Sequence, residues 1–295
     1  MKRLIILLTI AAGSLAAQSV RTGLPFLKYG MDARSIGMGE TFTAVPGDEA
    51  SLSYNPAAIA FDADRRFSLS HRQGFAETNG DRISGVLPGD GFTVGFSALS
   101  SAVEGIEVRL QPGDPLGTFD ARTSAVAFGV GIPFSSDLSF GVTGKLLHEK
   151  IYIDEAGGYG VDAGLFYRAT STIDAGLSVT NLGSMGVMRS ERTALPTTVR
   201  AGVSYRNSLI DDVKMLGAAE FVKTLDDEGS HLHAGAELIY DKNVMLRVGY
   251  QSGYETHSIT TGLGVESGIL RFDYAFVPMT GAFLPNHTFS LSFRL

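Results

Sequence analysis

Residues 286–295 read NHTFSLSFRL, and two kinds of residue alternate along this segment. One set is His287, Phe289, Leu291, Phe293 and Leu295, and the other is Thr288, Ser290, Ser292 and Arg294. Because successive side chains of an extended chain point to opposite faces, the segment forms a strand with one apolar and one polar face. About ten residues of tilted strand cross a bilayer. We therefore predict a closing membrane strand whose lipid face carries Phe289, Leu291, Phe293 and Leu295.

The same alternation recurs from Arg65 onward, in segments of about 8–12 residues separated by Gly, Asp, Asn, Pro and Ser. Residues 103–110 fit either a strand or part of a long loop. The other segments give about fourteen strands, an even number, as single-chain bacterial barrels require. We predict an all-β fold, a membrane β-barrel over residues 65–295, with antiparallel strands at 65–73, 81–88, 91–99, 121–133, 137–150, 158–168, 172–180, 197–206, 213–223, 230–240, 243–251, 257–266, 268–278 and 286–295.

A water-soluble β-sandwich would show the same alternation and is the alternative fold. The lumen of a membrane barrel accommodates charges of both signs, and such charges recur on the polar faces of successive strands. The residues predicted to line the lumen are Arg200, Glu237, Arg247, Arg271 and Asp273. Tyrosines near strand ends are typical of the interfacial girdle, and they occur at Tyr167, Tyr205, Tyr240 and Tyr250. Both patterns favour the membrane barrel.

The first residues predict export. Lys2 and Arg3 precede an apolar run at residues 4–12 and small residues up to Ala17, which is the pattern of a secretory signal peptide at residues 1–17. The run is shorter than a transmembrane helix, so a retained anchor is the less favoured alternative. The chain contains no cysteine that could form a disulfide or carry a lipid anchor. We expect the mature protein in the bacterial outer membrane, in contact with lipid and assembled by the barrel-insertion machinery.

Residues 18–64 do not follow the strand pattern. Their glycines, small residues and helix formers indicate short helices or turns, and a segment too polar for lipid fits inside the barrel as a plug or hatch. A periplasmic extension is the alternative. Gly37 and Gly39 permit close approach of the backbone to the inner wall. They do not indicate a phosphate-binding loop, because no strand-then-helix context with Lys-Ser/Thr follows them.

The motif Asn55-Pro56-Ala57 in this segment favours a capped turn. Proline biases the preceding residue toward an extended conformation, and an asparagine side chain there accepts hydrogen bonds from the following backbone amides. The alternative is that the motif anchors a movable hatch.

Residues 23–60 read GLPFLKYGMDARSIGMGETFTAVPGDEASLSYNPAAIA. This stretch resembles the N-terminal signature of the PorV/PorQ family of outer-membrane barrels, at Phe26-Leu27-Lys28, Gly30, Ala33-Arg34, Gly37-Met38-Gly39, Ala44-Val45, Asp48, Ala50 and Asn55-Pro56-Ala57. The Asn-Pro-Ala triplet is shared with the FadL-like superfamily, to which these barrels look related. The resemblance implies a barrel of about fourteen strands with an N-terminal element in its lumen.

The resemblance also implies a function. It suggests a non-enzymatic component of protein secretion or surface attachment, in a system similar to type IX secretion, with secreted cargo proteins as partners. The alternative is a FadL-like transporter, in which a hydrophobic small molecule enters from outside and leaves past a displaced plug. These two functions share a fold, so the fold cannot separate them.

Other functions find less support in the sequence. We expect no enzyme and no cofactor, because no Ser-His-Asp arrangement, special acidic pair or cysteine nucleophile stands out. His231 and His233 share one strand face and could bind a metal with Glu220 or Glu237, but ordinary lumen lining is the favoured interpretation and no metal is expected. The net charge of −7 and the lack of a basic stripe argue against a nucleic-acid partner.

Overall fold

A computed structural model describes residues 23–74, 78–189, 191–225, 227–281 and 283–295. The signal peptide predicted at residues 1–17 lies outside the described residues. The strands are β1 (Arg66–Gln73), β2 (Thr78–Pro88), β3 (Thr93–Val108), β4 (Gly117–Pro133), β5 (Leu138–Ile151), β6 (Asp154–Arg168), β7 (Ile173–Met188), β8 (Glu191–Ala194), β9 (Thr198–Ile210), β10 (Val213–Thr224), β11 (His231–Tyr240), β12 (Val244–Gln251), β13 (Ile259–Ser267), β14 (Leu270–Val277) and β15 (Asn286–Arg294).

Fourteen strands of the described residues close into an antiparallel barrel, which confirms the predicted fold class. β1 to β7 follow one another around the wall, β9 pairs with β7, and β10 to β15 complete the circle. β8 is an additional short strand beside β7. Residues 103–110, which fit a strand or a loop, belong to β3 as far as Val108.

The closing strand β15 pairs with the first strand β1. Leu291 lies opposite Leu69, and Phe289 lies opposite His71. On its other side β15 pairs with β14, where Leu291 lies opposite Phe272. A closed ladder leaves no open sheet edge, so every strand can satisfy its backbone hydrogen bonds in the absence of water.

The two faces of the wall have the polarity of a membrane barrel. On β15 the inward side chains Thr288, Ser290 and Ser292 are buried, whereas Phe289 and Leu291 point outward and are exposed. The predicted girdle tyrosines are all exposed on the outer surface too: Tyr167, Tyr205, Tyr240 and Tyr250. A water-soluble sandwich would bury its apolar face, so this arrangement favours the membrane barrel. No helix among the described residues is long and apolar enough to cross a membrane.

The two ends of the barrel differ. At one end, here the turn end, the connections between strands are two to four residues long, such as residues 211–212 and 268–269. The other end, the loop end, carries longer connections that include residues 109–116, 252–258 and 278–285. Short turns mark the periplasmic side of bacterial barrels, which places the loop end outside the cell.

Residues 23–62, here the hatch, lie inside the barrel. They form three short 3-10 helices (Pro25–Lys28, Glu49–Ser53 and Pro56–Phe61) and the helix α1 (Ala33–Gly37). α1 packs against β12 to β15, and the helix Pro56–Phe61 packs against β3 to β6. A cluster within the hatch, Met38, Phe42, Val45, Ala50 and Tyr54, packs with Leu216 of β10. Folding of the hatch thus depends on contacts with the wall around it.

A pair of substitutions at different depths tests the membrane-spanning orientation. Leu291 lies near the middle of β15 and Leu295 follows its last residue, and both are apolar residues of the predicted lipid face. Leu291→Arg should lower the free energy of unfolding by about 2–4 kcal/mol, because it places a charge near the bilayer midplane, and Leu295→Arg by about 0–1 kcal/mol. Denaturant unfolding in lipid vesicles measures both. Equal costs at the two positions would contradict the orientation.

Candidate functional site

A closed ring of ion pairs joins the hatch to the wall. Arg34 of α1 lies 2.7 Å from Asp48 and 2.6 Å from Glu237 of β11. Arg247 of β12 contacts Glu237 at 2.5 Å and Asp273 of β14 at 2.7 Å. Arg271 of β14 completes the circle, 2.7 Å from Asp273 and 3.0 Å from Asp48. The ion-pair ring therefore alternates in sign around Arg34, Glu237, Arg247, Asp273, Arg271 and Asp48.

The ring is buried, which makes each of its members costly to remove. Arg247, Asp273, Glu237 and Asp48 have almost no exposed side-chain surface. Burial alone would raise the pKa of Asp48, but the Arg271 and Arg34 guanidiniums hold that pKa well below its usual range. Removal of one partner from a buried pair leaves an uncompensated charge, at a cost of about 3–5 kcal/mol. The ring thus holds α1 against β11, β12 and β14.

Glycines provide the space for these contacts. A Cβ on Gly37 would lie 3.0 Å from the Cα of Gly262 in β13. Gly39 has a positive φ of 67°, and a Cβ there would lie 2.9 Å from the Ala234 carbonyl oxygen of β11. A Cβ on Gly264 would lie 3.0 Å from the Arg247 guanidinium. Any larger residue at Gly37 or Gly39 would therefore push the hatch away from the wall.

The motif Asn55-Pro56-Ala57 ties the opposite side of the hatch to the wall. Asn55 is the N-cap of the helix Pro56–Phe61, and its Oδ1 accepts a hydrogen bond from the Ala57 amide at 3.1 Å. The Asn55 Nδ2 donates to the carbonyl oxygens of Thr43 in the hatch and Leu165 in β6, at 2.8 and 2.9 Å. Ser139 of β5 donates to the Ala57 carbonyl oxygen at 2.8 Å. One side chain thus caps a helix and contacts the wall.

A cavity of about 260 Å³ lies at the loop end between the hatch and the wall. Apolar side chains form much of its lining, among them Phe26, Met31, Ile36, Val277 and Met279. A smaller polar part contains Glu40, Arg72 and His257. Arg72 is held in place, since it donates to the Gly30 carbonyl oxygen at 2.7 Å and lies over the Tyr29 ring. We call this space the loop-end cavity.

Two further spaces lie along the lumen. A smaller cavity of about 80 Å³ shares Phe26, Met31 and Glu40 with the loop-end cavity and extends to Tyr54 and Arg200. Arg200 pairs with Glu220 at 2.5 Å. At the turn end, a cavity of about 530 Å³ is lined by Arg34, Val45, Leu216 and Glu237, among others. The hatch cluster of Met38, Phe42 and Tyr54 lies between these two spaces.

The structure places the predicted lumen-lining residues on the inner wall. Arg200, Glu237, Arg247, Arg271 and Asp273 are all buried, and four of these five belong to the ion-pair ring. The sequence did not assign Arg34 and Asp48 a role, although both matched the N-terminal signature. The sequence feature that could have identified them is their charge, because they belong to a segment predicted to lie in a lumen lined by charges of both signs.

The two histidines considered as metal ligands contact an aromatic ring instead. His231 stacks on Tyr254 of the loop 252–258 with ring centroids 4.0 Å apart, and His233 Nε2 lies 3.1 Å from the Tyr254 hydroxyl. The carboxylates that could complete a site are engaged by arginines, Glu220 by Arg200 and Glu237 by Arg34 and Arg247. The histidines therefore fix the loop 252–258 at the barrel mouth.

No protein-family model matches the sequence, and no curated protein matches it. Solved structures of outer-membrane barrels match the fold. The toluene transporter TbuX of Ralstonia pickettii has a TM-score of 0.63 at 14% identity, with 90% of this chain and 98% of that chain covered. The toluene transporter TodX of Pseudomonas putida has 0.64 at 13%, covering 90% and 97%. A FadL homologue of Pseudomonas aeruginosa has 0.56 at 11%, covering 90% and 98%.

These likenesses identify the fold. The structural neighbours are FadL-like outer-membrane barrels, and the narrower resemblance to the PorV/PorQ family stays a prediction. The barrel fold and the apolar outer wall confirm the expected location in the bacterial outer membrane.

Loss of the Asn55 side chain should loosen the hatch. Asn55→Ala removes three hydrogen bonds, worth together about 2–4 kcal/mol, of which one ties the hatch to Leu165 of the wall and two stabilise the fold of the hatch itself. We expect faster swelling of proteoliposomes in a small sugar than with the unaltered protein. The matched control is Asn243→Ala, in an exposed turn between β11 and β12. Equal swelling rates for Asn55→Ala and the control would show that Asn55 does not hold the hatch closed.

Proposed function

We propose that this protein is an outer-membrane transporter of small hydrophobic molecules, which bind in the loop-end cavity and leave past the hatch. The observation that carries the proposal is the cavity itself, about 260 Å³ of mostly apolar space below the outer loops. A dry cavity of about 150 Å³ already accommodates benzene. The loop-end cavity therefore has room for a molecule of one aromatic ring or somewhat more.

The polarity of the cavity supports the same class of ligand. Binding sites for small molecules are mostly apolar, with a few polar groups that fix orientation. Phe26, Met31 and Met279 supply the apolar contact, and methionine side chains adapt to ligands of varied shape. The solved structures with this fold include two that are described as toluene transporters, which agrees with a hydrophobic ligand.

Release of a ligand toward the periplasm requires a change in the hatch. The cluster around Met38, Phe42 and Tyr54 separates the upper spaces from the turn-end cavity. The ion-pair ring and the Asn55 contacts hold that cluster in place. A ligand that displaces the cluster gains access to the cavity lined by Val45 and Leu216. This pathway assigns the hatch the part of a gate and requires no chemical reaction.

The outer surface supports contacts with lipid and with the barrel-insertion machinery. Phe289 and Leu291 of β15 are exposed on the outer wall, where lipid would contact them. They are also available to the barrel-insertion machinery during assembly. Both partners would contact the lipid face of the closing strand.

Secretion is the second candidate function, and one observation favours it. At the loop end, β3 and β4 continue past the end of β2 and pair Val108 with Gly117. This extension and the neighbouring hairpin of β5 and β6 expose the apolar residues Leu110, Leu116 and Ile153. Exposed apolar loops suit a surface that binds secreted proteins. The structural neighbours favour transport, because those named above are transporters or a FadL homologue.

Filling the loop-end cavity should block transport. Met279→Trp places a larger ring in the cavity, whereas the control Leu263→Trp adds the same ring to the exposed outer face of β13. In cells dependent on this protein, we expect Met279→Trp to lower uptake of radiolabelled toluene about tenfold and the control to leave it unchanged. Equal uptake by both variants, at matched amounts of folded barrel, would contradict the proposed site.

Purification of the protein from the outer membranes of these cells separates the two candidate functions. Protein purified from them should carry a bound hydrophobic molecule that Met279→Trp loses. Co-purified surface proteins, lost on substitution of Leu110 and Leu116 by Ser, would instead support secretion.

A further inference from the structure

Three acidic side chains meet at the centre of the hatch. Asp32 is the N-cap of α1, Asp48 is the N-cap of the helix Glu49–Ser53, and Glu49 is the first residue of that helix. One carboxylate oxygen of each lies within 4.8 Å of those of the other two. All three residues are buried, with at most 1% of their surface exposed. Such proximity is unfavourable unless a positive charge lies between the carboxylates.

Two oxygens of this acidic triad, Asp32 Oδ2 and Glu49 Oε2, have no hydrogen-bond partner among the described residues. The other oxygen of each residue is engaged. Asp32 Oδ1 accepts from the amides of Arg34 and Ser35, and Glu49 Oε1 accepts from the Ser292 hydroxyl at 2.8 Å. Buried polar atoms without a partner are rare, because each costs about 1–3 kcal/mol. The two free oxygens therefore point to a ligand of the triad.

The side chains in and around the triad carry an excess of negative charge. The three arginines of the ion-pair ring alternate with Asp48, Glu237 and Asp273, so Asp32 and Glu49 are additional, and the buried Arg82 offsets one of these two negative charges. Arg271 lies 4.0 Å from Glu49 Oε1, and Arg82 donates to the Glu49 carbonyl oxygen at 3.3 Å. Neither guanidinium bonds the free oxygens.

We infer that the acidic triad of Asp32, Asp48 and Glu49 binds a hard metal cation of the Ca²⁺ type inside the hatch. Ca²⁺ takes carboxylate and carbonyl oxygens at about 2.3–2.6 Å, so ligand oxygens up to about 4.8 Å apart fit one ion. Asp32 and Glu49 would each supply one ligand oxygen, and each has an oxygen, Oδ2 and Oε2 respectively, that no hydrogen bond engages. Asp48 supplies the third, and it keeps its ion pairs with Arg34 and Arg271.

Such an ion would join the two halves of the hatch to the closing strand. Asp32 caps α1, and Glu49 belongs to the following helix. Both helices are already linked to β15, since the Ala33 amide of α1 donates to the Ser290 hydroxyl and the Ser292 hydroxyl donates to Glu49. A bound cation would therefore stabilise the hatch where the barrel closes. This site is independent of the loop-end cavity and of any transported ligand.

Calcium binding by the refolded full barrel tests the inference. The mature chain is refolded in detergent with EDTA, gel-filtered, and titrated with ⁴⁵Ca²⁺ in equilibrium dialysis at pH 7.5. We expect one Ca²⁺ per chain and a higher thermal unfolding midpoint with Ca²⁺ than with EDTA. Asp32→Asn keeps a capping side chain but removes charge, and Glu49→Gln preserves size, and each should weaken binding at least about tenfold.

The control Asp90→Asn lies in the exposed turn between β2 and β3 and should bind Ca²⁺ as the unaltered protein does. Absence of bound Ca²⁺ in the unaltered protein would overturn the inference and assign the triad a bound proton instead. Equal binding by Glu49→Gln and Asp90→Asn would overturn it as well. If Asp32→Asn does not fold, the comparison of Glu49→Gln with the control decides.

Discussion

The ion-pair ring of Arg34, Glu237, Arg247, Asp273, Arg271 and Asp48 is the interaction on which the closed lumen depends. A lumen that faces neither lipid nor bulk water must balance its own charges, and each charge of the ring has two partners of opposite sign. Because two members belong to the hatch and four to the wall, the ring cannot form unless the hatch lies inside the barrel. Charge balance thereby couples the fold of the hatch to closure of the wall.

The strands were predictable because alternation is a local property of the sequence. The strand predicted at residues 213–223 is observed at Val213–Thr224, and the strand predicted at 286–295 is observed at Asn286–Arg294. The prediction at 172–180 was too short, since β7 continues to Met188. Asn181 has a positive φ of 61° and the register with β6 shifts beside it, so the alternation is broken although the pairing resumes. β8 has four residues, too few for a period of two to be recognised.

The candidate site was less accessible to sequence analysis. Inward charges such as Arg247 and Asp273 follow from strand phase, but their pairing depends on which strands are neighbours and in what register. The cap at Asn55 follows from a local motif, whereas its hydrogen bond to Leu165 joins residues far apart in the chain. The loop-end cavity depends on where the hatch stops beneath the loops, which no local pattern encodes. The cavity therefore emerged only from the folded arrangement, and with it the preference for transport over secretion.

A double-mutant cycle between the hatch and the wall tests the central claim most directly. Arg34→Met and Glu237→Gln, alone and together, are compared by denaturant unfolding of the refolded barrel. The ring predicts that each single change lowers the free energy of unfolding by about 3–5 kcal/mol and that the double change costs at least about 1.5 kcal/mol less than their sum. Costs that add to within about 0.5 kcal/mol would show that Arg34 does not contact Glu237 and would contradict a hatch held in the lumen by the ring.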